Sequence, residues 1–165
     1  TRYVGEIGLD KRAEHLHSIK FQIKIFRKII QECTKYGSKI LSIHSAKASK
    51  EVIDILENEL DFSSCRAILH WFTGHIRQAQ KAQDIGCFFS VNLKMLSSKN
   101  GKALIAELNP ARILTESDGP FIQYKGRASD PSDVSYTLER LASLWGCTKE
   151  MAAQQIIRNL RELLR

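Results

Sequence analysis

From residue 14 to residue 36 the apolar side chains Leu16, Ile19, Ile23, Phe26, Ile30 and Cys33 recur at steps of three and four. That spacing predicts a helix with one buried stripe, stopped by Gly37. On either side lie short apolar runs, residues 2–7 and 39–43, with the composition of strands. The alternation continues along the chain. Ser49 opens a helix to residue 60 with Val52, Ile55 and Leu56 inward, and residues 65–69 form a third strand. Residues 75–84 are a short polar helix ended by Gly86, and 87–91 a fourth strand. Residues 92–100, rich in Ser, Asn and Lys, are expected to be a loop or lid; 102–108 is helical up to Asn109-Pro110, and 112–115 is the fifth strand. After Pro120 a long loop is expected as far as Asp130, which with Pro131 opens a helix to Trp145. Thr148 caps a last helix carrying Met151, Ile156, Ile157, Leu160 and Leu163.

Strands that alternate with crossover helices imply a parallel sheet, and in such folds functional side chains gather at the carboxyl ends of the strands. Four of the five predicted strand ends carry a metal-capable residue: Glu6, His44, His70 and Asp118. Each alone is an ordinary structural residue. Four at equivalent positions, brought to one rim by the fold, predict a divalent metal site that activates water for hydrolysis. Glu116, one residue from Asp118 in Thr115-Glu116-Ser117-Asp118-Gly119-Pro120, is expected to point to the same face of the strand end, and a metal would relieve the repulsion of the two carboxylates. Five strands fit either an open doubly wound sheet or part of an eight-stranded barrel.

Composition adds a partner. With 165 residues, 43% apolar and 26% charged, the chain has the makeup of one ordinary globular domain over 1–165. Its net charge of +7 favours a polyanionic partner such as nucleic acid. Lys47, Lys50, Arg77, Lys94, Lys99, Lys125 and Arg127 fall in predicted loops or first turns on the rim of the site, and His75 stands at a helix start where a phosphate could sit. Trp71 and Phe72 follow His70 and are either core or a face for a base to stack on. The four cysteines make no Cys-x-x-Cys pair, and no apolar run approaches the ~20 residues of a membrane span, so a reducing cytoplasm is expected. There is no Gly-x-Ser-x-Gly elbow, phosphate-binding glycine loop or dinucleotide fingerprint.

Gly5-Glu6-Ile7-Gly8-Leu9-Asp10, Ile43-His44-Ser45, His70-Trp71-Phe72-Thr73-Gly74 and Thr115 to Phe121 resemble, in order and spacing, the motifs of the TatD family of metal-dependent deoxyribonucleases. Asn159 resembles that family's C-terminal Asn-x-x-x-Leu-Phe signature. The resemblance implies an α/β fold of the (β/α)8 TIM-barrel type, here lacking the first two strand-helix units, and a 3′ to 5′ exonuclease acting on single-stranded DNA. It implies two divalent ions (Zn, Mg or Mn), with Glu6 bridging, His44 and His70 on the second ion and Asp118 on the first. Asp10 and Glu116 would orient ligands and water. The chain departs from the family's pattern at Ala46 for Arg, Trp71 for Cys and Ser129-Asp130-Pro131 for Asn-Glu-Pro, and it lacks the opening His-x-His strand, so a longer protein is expected. Some family members serve in anti-phage defence operons, so antiviral defence is a further expectation, as is a homo-oligomer or protein complex. The competing readings are a nucleic-acid-binding or assembly module with a degenerate metal site, based on the missing His pair and on Ala46, and a metallohydrolase of small esters or amides.

Overall fold

The computed structural model describes residues 1–165 and divides them into two compact units, Thr1–Phe89 and Ser90–Arg165. The first unit holds strands β1 (Tyr3–Gly8), β2 (Ile40–His44) and β3 (Arg66–His70), with helices α1 (Ile19–Tyr36), α2 (Ser49–Glu59) and α3 (Ile76–Asp84). The strands lie side by side in chain order, and β1–β2 and β2–β3 pair in parallel. Strand β4 (Phe88–Val91) starts beside β3 and runs across the boundary; in the second unit β5 (Ile113–Thr115) lies next to it. Alternate residues of β2 and β3 enter the core: Leu41, Ile43, Ala67 and Leu69 are fully buried, together with Phe26 and Ile30 of α1 and Val52 and Leu56 of α2.

Several local expectations are corrected. Residues Ala13–Ser18 form a 3-10 turn ahead of α1 rather than its first α-helical turns. Ser49 does not cap α2; its hydroxyl donates instead to Gln78 Oε1 of α3 at 2.8 Å. Residues 92–100 hold a short helix, α4 (Leu93–Ser97), and the start of a second, α5 (Lys99–Ala106), in place of the expected loop or lid. Each has a side-chain cap: Asn92 Oδ1 accepts from Met95 N–H at 3.0 Å, and Ser98 Oγ from Gly101 N–H at 2.9 Å. Two of the polar residues that suggested a loop, Asn92 and Ser98, are those caps.

The stretch after Pro120 carries a hairpin, β6 (Gln123–Tyr124) and β7 (Arg127–Ala128), around Lys125-Gly126. Both turn residues have left-handed φ, 51° and 78°, the pattern of a two-residue primed turn. A 3-10 turn capped by Asp130 then leads into α6 (Val134–Trp145), and Thr148 caps α7 (Lys149–Leu163). Asn159, 2% exposed, donates its amide to the carbonyls of Pro110 at 2.7 Å and Ile113 at 2.6 Å, tying α7 to the start of β5. No helix of the chain is long and apolar enough to cross a membrane.

Candidate metal centre

Glu6, His44 and His70 stand on three neighbouring strands of the first unit. In β1 three steps, Val4 to Ile7, match two in β2, Leu41 to Ile43, so Gly5-Glu6 forms a bulge. Bulges re-aim a side chain, and this one sets Glu6 beside the histidines. His44 Nδ1 lies 3.1 Å and His70 Nε2 3.9 Å from the same oxygen, Glu6 Oε1. The imidazole rings are 6.4 Å apart, and one ligand atom from each of the three residues lies within 4.8 Å of the others. Two imidazole nitrogens and a carboxylate oxygen converging this closely are a donor set suited to zinc, manganese, cobalt or iron. The Glu6 side chain is 52% exposed and His70 13%, so the cluster opens to solvent on the glutamate side.

The other nitrogen of His44 is also held. Nε2 lies 3.2 Å from Asp10 Oδ2, and Asp10 is gripped by Arg12, whose Nε donates to both carboxylate oxygens at 3.0 and 2.8 Å while its Nη2 meets Oδ2. The Arg12 backbone N–H adds a 2.9 Å bond to Oδ1, and Gln22 Oε1 accepts from the Asp10 N–H at 2.8 Å. The Arg12 guanidinium holds the Asp10 carboxyl well below the usual carboxylate range, with the Arg12 N–H and His44 acting in the same direction against burial. A carboxylate behind a ligating imidazole fixes its tautomer and ring plane. Gly8 is required here for a different reason. Its φ is +138°, and a Cβ at that position would meet the His44 carbonyl oxygen at 2.1 Å.

Asp118 and Glu116 belong to the second unit and both lie past the end of β5, so strand alternation does not set their relation. Strand β5 ends at Thr115, and Asp118 has a left-handed φ of 47° ahead of the cis Gly119-Pro120 bond, so the two-residue strand period does not extend to it. Glu116 faces β4: Ser90 Oγ donates to Oε2, and Asn92 Nδ2 to Oε1 at 2.9 Å.

The expected substrate-contacting residues separate into two groups. Phe72 is 1% exposed with its ring edge-on to Phe89 at 5.5 Å, a core side chain with no face left for a base. Arg127 is spent on a bidentate pair with Asp133, both contacts at 2.8 Å, and on Asp130 at 2.9 Å. His75 serves as the cap of α3, its Nδ1 accepting from Arg77 N–H at 3.2 Å. Lys47, Lys94 and Lys125 are exposed, and Trp71 is half-buried with φ +37°. Arg12, Ser90 and Asn92 were not singled out by sequence; the only signal for them was proximity to Asp10 and to the end of a strand.

These features define an α/β chain with a Glu-His-His cluster at the carboxyl ends of parallel strands. The model of the TatD related DNase family matches residues 1–165, and the chain belongs to that family. It is 28% identical to YabD of Bacillus subtilis, which carries the name of an uncharacterized metal-dependent hydrolase, across 98% of this chain and 64% of that protein. A Buchnera aphidicola protein of the same description, BU355, is 32% identical over 86% of this chain and 54% of its own length. The crystal structure of YJJV, a TatD homologue from Escherichia coli K12, superposes with a TM-score of 0.84 at 21% identity, covering 96% of this chain and 62% of that one. The chain therefore spans less than two thirds of the length of these relatives.

Proposed function

We propose that the whole protein hydrolyses nucleic acid phosphodiesters with divalent metal ions, acting on single-stranded DNA from the 3′ end. The observation that carries this reading is the convergence of Glu6, His44 and His70 within 4.8 Å, in a chain of the TatD related DNase family. Those three residues would hold metal, and Asp118 is assigned a further ligand role by the motif it shares with the family. A divalent ion so held supplies a Lewis acid for a phosphoryl oxygen and a water that ionises near neutral pH. Asp10, clamped by Arg12, keeps the His44 ring in one orientation, leaving Nδ1 directed at Glu6. Glu116, braced by Ser90 and Asn92, presents a fixed carboxylate that orients its neighbours. The excess of Lys and Arg over Asp and Glu, 25 against 18, suits a polyanionic substrate.

The test uses the whole protein with Mn²⁺ and labelled single-stranded DNA. His70→Ala and Asp118→Asn are expected to reduce hydrolysis to background while the thermal unfolding transition is retained, and a 3′-blocked substrate is expected to resist the unaltered protein. Undiminished hydrolysis in both variants would remove the site assignment, and cleavage of the blocked substrate would remove the exonuclease polarity.

A further inference from the structure

We propose that the second unit carries a base-stacking subsite for single-stranded nucleic acid, in the cleft between α4, the β6–β7 hairpin and α6. The inference rests on the nuclease reading for its substrate class and goes beyond the metal cluster in its residues. The cleft has a volume of about 750 Å³, in the range of sites that hold a nucleotide-sized ligand. Phe121, Tyr124 and Tyr136 bring three aromatic rings to its wall, and Lys94 and Arg140 bring two cations.

The aromatic wall is built to stay in place. The rings of Tyr124 and Tyr136 meet with their centroids 4.4 Å apart and their planes tilted by 41°, joining the hairpin to α6. The primed turn at Lys125-Gly126 carries the Lys125 ammonium back over both rings, 5.2 Å from one centroid and 4.8 Å from the other, with the Tyr136 hydroxyl 3.3 Å away. Phe121 lies 75% exposed at the edge of this wall, so its ring is open to a ligand. A flat ligand therefore finds an aromatic surface rimmed with positive charge.

Charge complementarity selects the occupant. The acidic residue on the wall, Glu139, is neutralised by Lys149 at 2.7 Å, so Arg140, with Lys125 beside it, gives the cleft a positive field. Aromatic faces interleaved with cations match a chain of bases linked by phosphates: the rings take a base by stacking and the cations take the flanking phosphodiesters. A base-paired duplex keeps its bases inside the stack and cannot offer that face.

The test is binding by the whole protein in EDTA, where hydrolysis does not interfere, read by fluorescence anisotropy with a labelled oligothymidylate and with an abasic oligomer of equal length. Tyr124→Ala and Phe121→Ala are each expected to weaken oligothymidylate binding about tenfold and leave the abasic oligomer unchanged. Arg140→Ala is expected to weaken both. Phe121→Ala keeps the outcome readable should Tyr124→Ala unsettle the hairpin, because Phe121 is largely exposed. Oligothymidylate binding equal to the unaltered protein in Phe121→Ala and Tyr124→Ala overturns the subsite. Equal losses on the two oligomers also overturn it, since phosphate contact alone then accounts for binding. Failure of the nuclease reading shows separately, as intact DNA in the Mn²⁺ assay whatever the anisotropy gives.

Discussion

At the residue scale the Glu6-His44-His70 cluster depends on contacts that lie outside it. His44 is held through Nε2 by Asp10, and Asp10 in turn by Arg12, so one surface arginine reaches the metal-capable imidazole through a single intermediary. Asp10→Asn keeps the size of the side chain but removes the charge that steadies the imidazole. The affinity of the whole protein for Mn²⁺, measured by isothermal titration, is expected to fall by about 10- to 100-fold. Gly8 tests the same cluster through the backbone. A methyl group at Gly8 meets the His44 carbonyl oxygen at 2.1 Å and sits at a φ of +138°, so β1 and β2 must separate at the very residue that carries the ligand. Gly8→Ala is expected to lower the denaturant midpoint, by about 1–3 kcal/mol of stability, and to weaken metal binding with it. A variant matching the unaltered protein in both measurements would show that the close approach at Gly8 is not limiting. The identities of Glu6, His44 and His70 were legible because strand ends are easily located from apolar runs. The aim of Glu6 was not, since it comes from a bulge that no residue pattern announces.

At the element scale the five strands and the long helices were legible because burial imposes a period on them. The segments that were misjudged are short and polar, held by capping and turn geometry. Asn92 illustrates the reason: as an isolated letter it signals a loop, but in the structure its two side-chain ends cap α4 and brace Glu116. The hairpin was missed because Lys125-Gly126 lacks the Asn-Gly or Asp-Gly signature of its turn. Its foot is fastened by Arg127 and Asp133. The Arg127 guanidinium, with the Asp130 N–H behind it, holds the buried Asp133 carboxyl below its usual value of 3.8. A carboxyl depressed in the folded state stabilises the fold above its unfolded-state pKa, and that contribution is lost as pH falls toward the folded-state value. The stability difference between the unaltered protein and Asp133→Asn, from urea midpoints, is therefore expected to be flat from about pH 8 to about pH 5 and to shrink below about pH 4. A difference independent of pH down to acid unfolding would mean that the ion pair contributes through shape alone.

At the scale of the whole molecule the question is which of 25 cationic side chains meet phosphate. Sequence alone could place them in loops, but it could not show which were already engaged by carboxylates. The structure shows Arg127 bound to Asp133 and Asp130, whereas Arg140 lines the aromatic cleft. Binding of single-stranded DNA releases counterions, and log K falls with log salt at a slope of about −0.7 for each phosphate neutralised. Removing a cation that touches phosphate therefore flattens the slope, whereas removing one committed to an internal ion pair does not. Measured on the whole protein in EDTA, Arg140→Ala is expected to reduce the slope by about 0.7. Arg127→Ala is expected to leave the slope unchanged and instead to lower the thermal midpoint, because it leaves the buried Asp133 carboxylate without its guanidinium. A flattened slope in Arg127→Ala with an unchanged midpoint would reverse the assignment, restoring to Arg127 the phosphate contact its place in the sequence suggests and making the Asp133 pair dispensable to the fold.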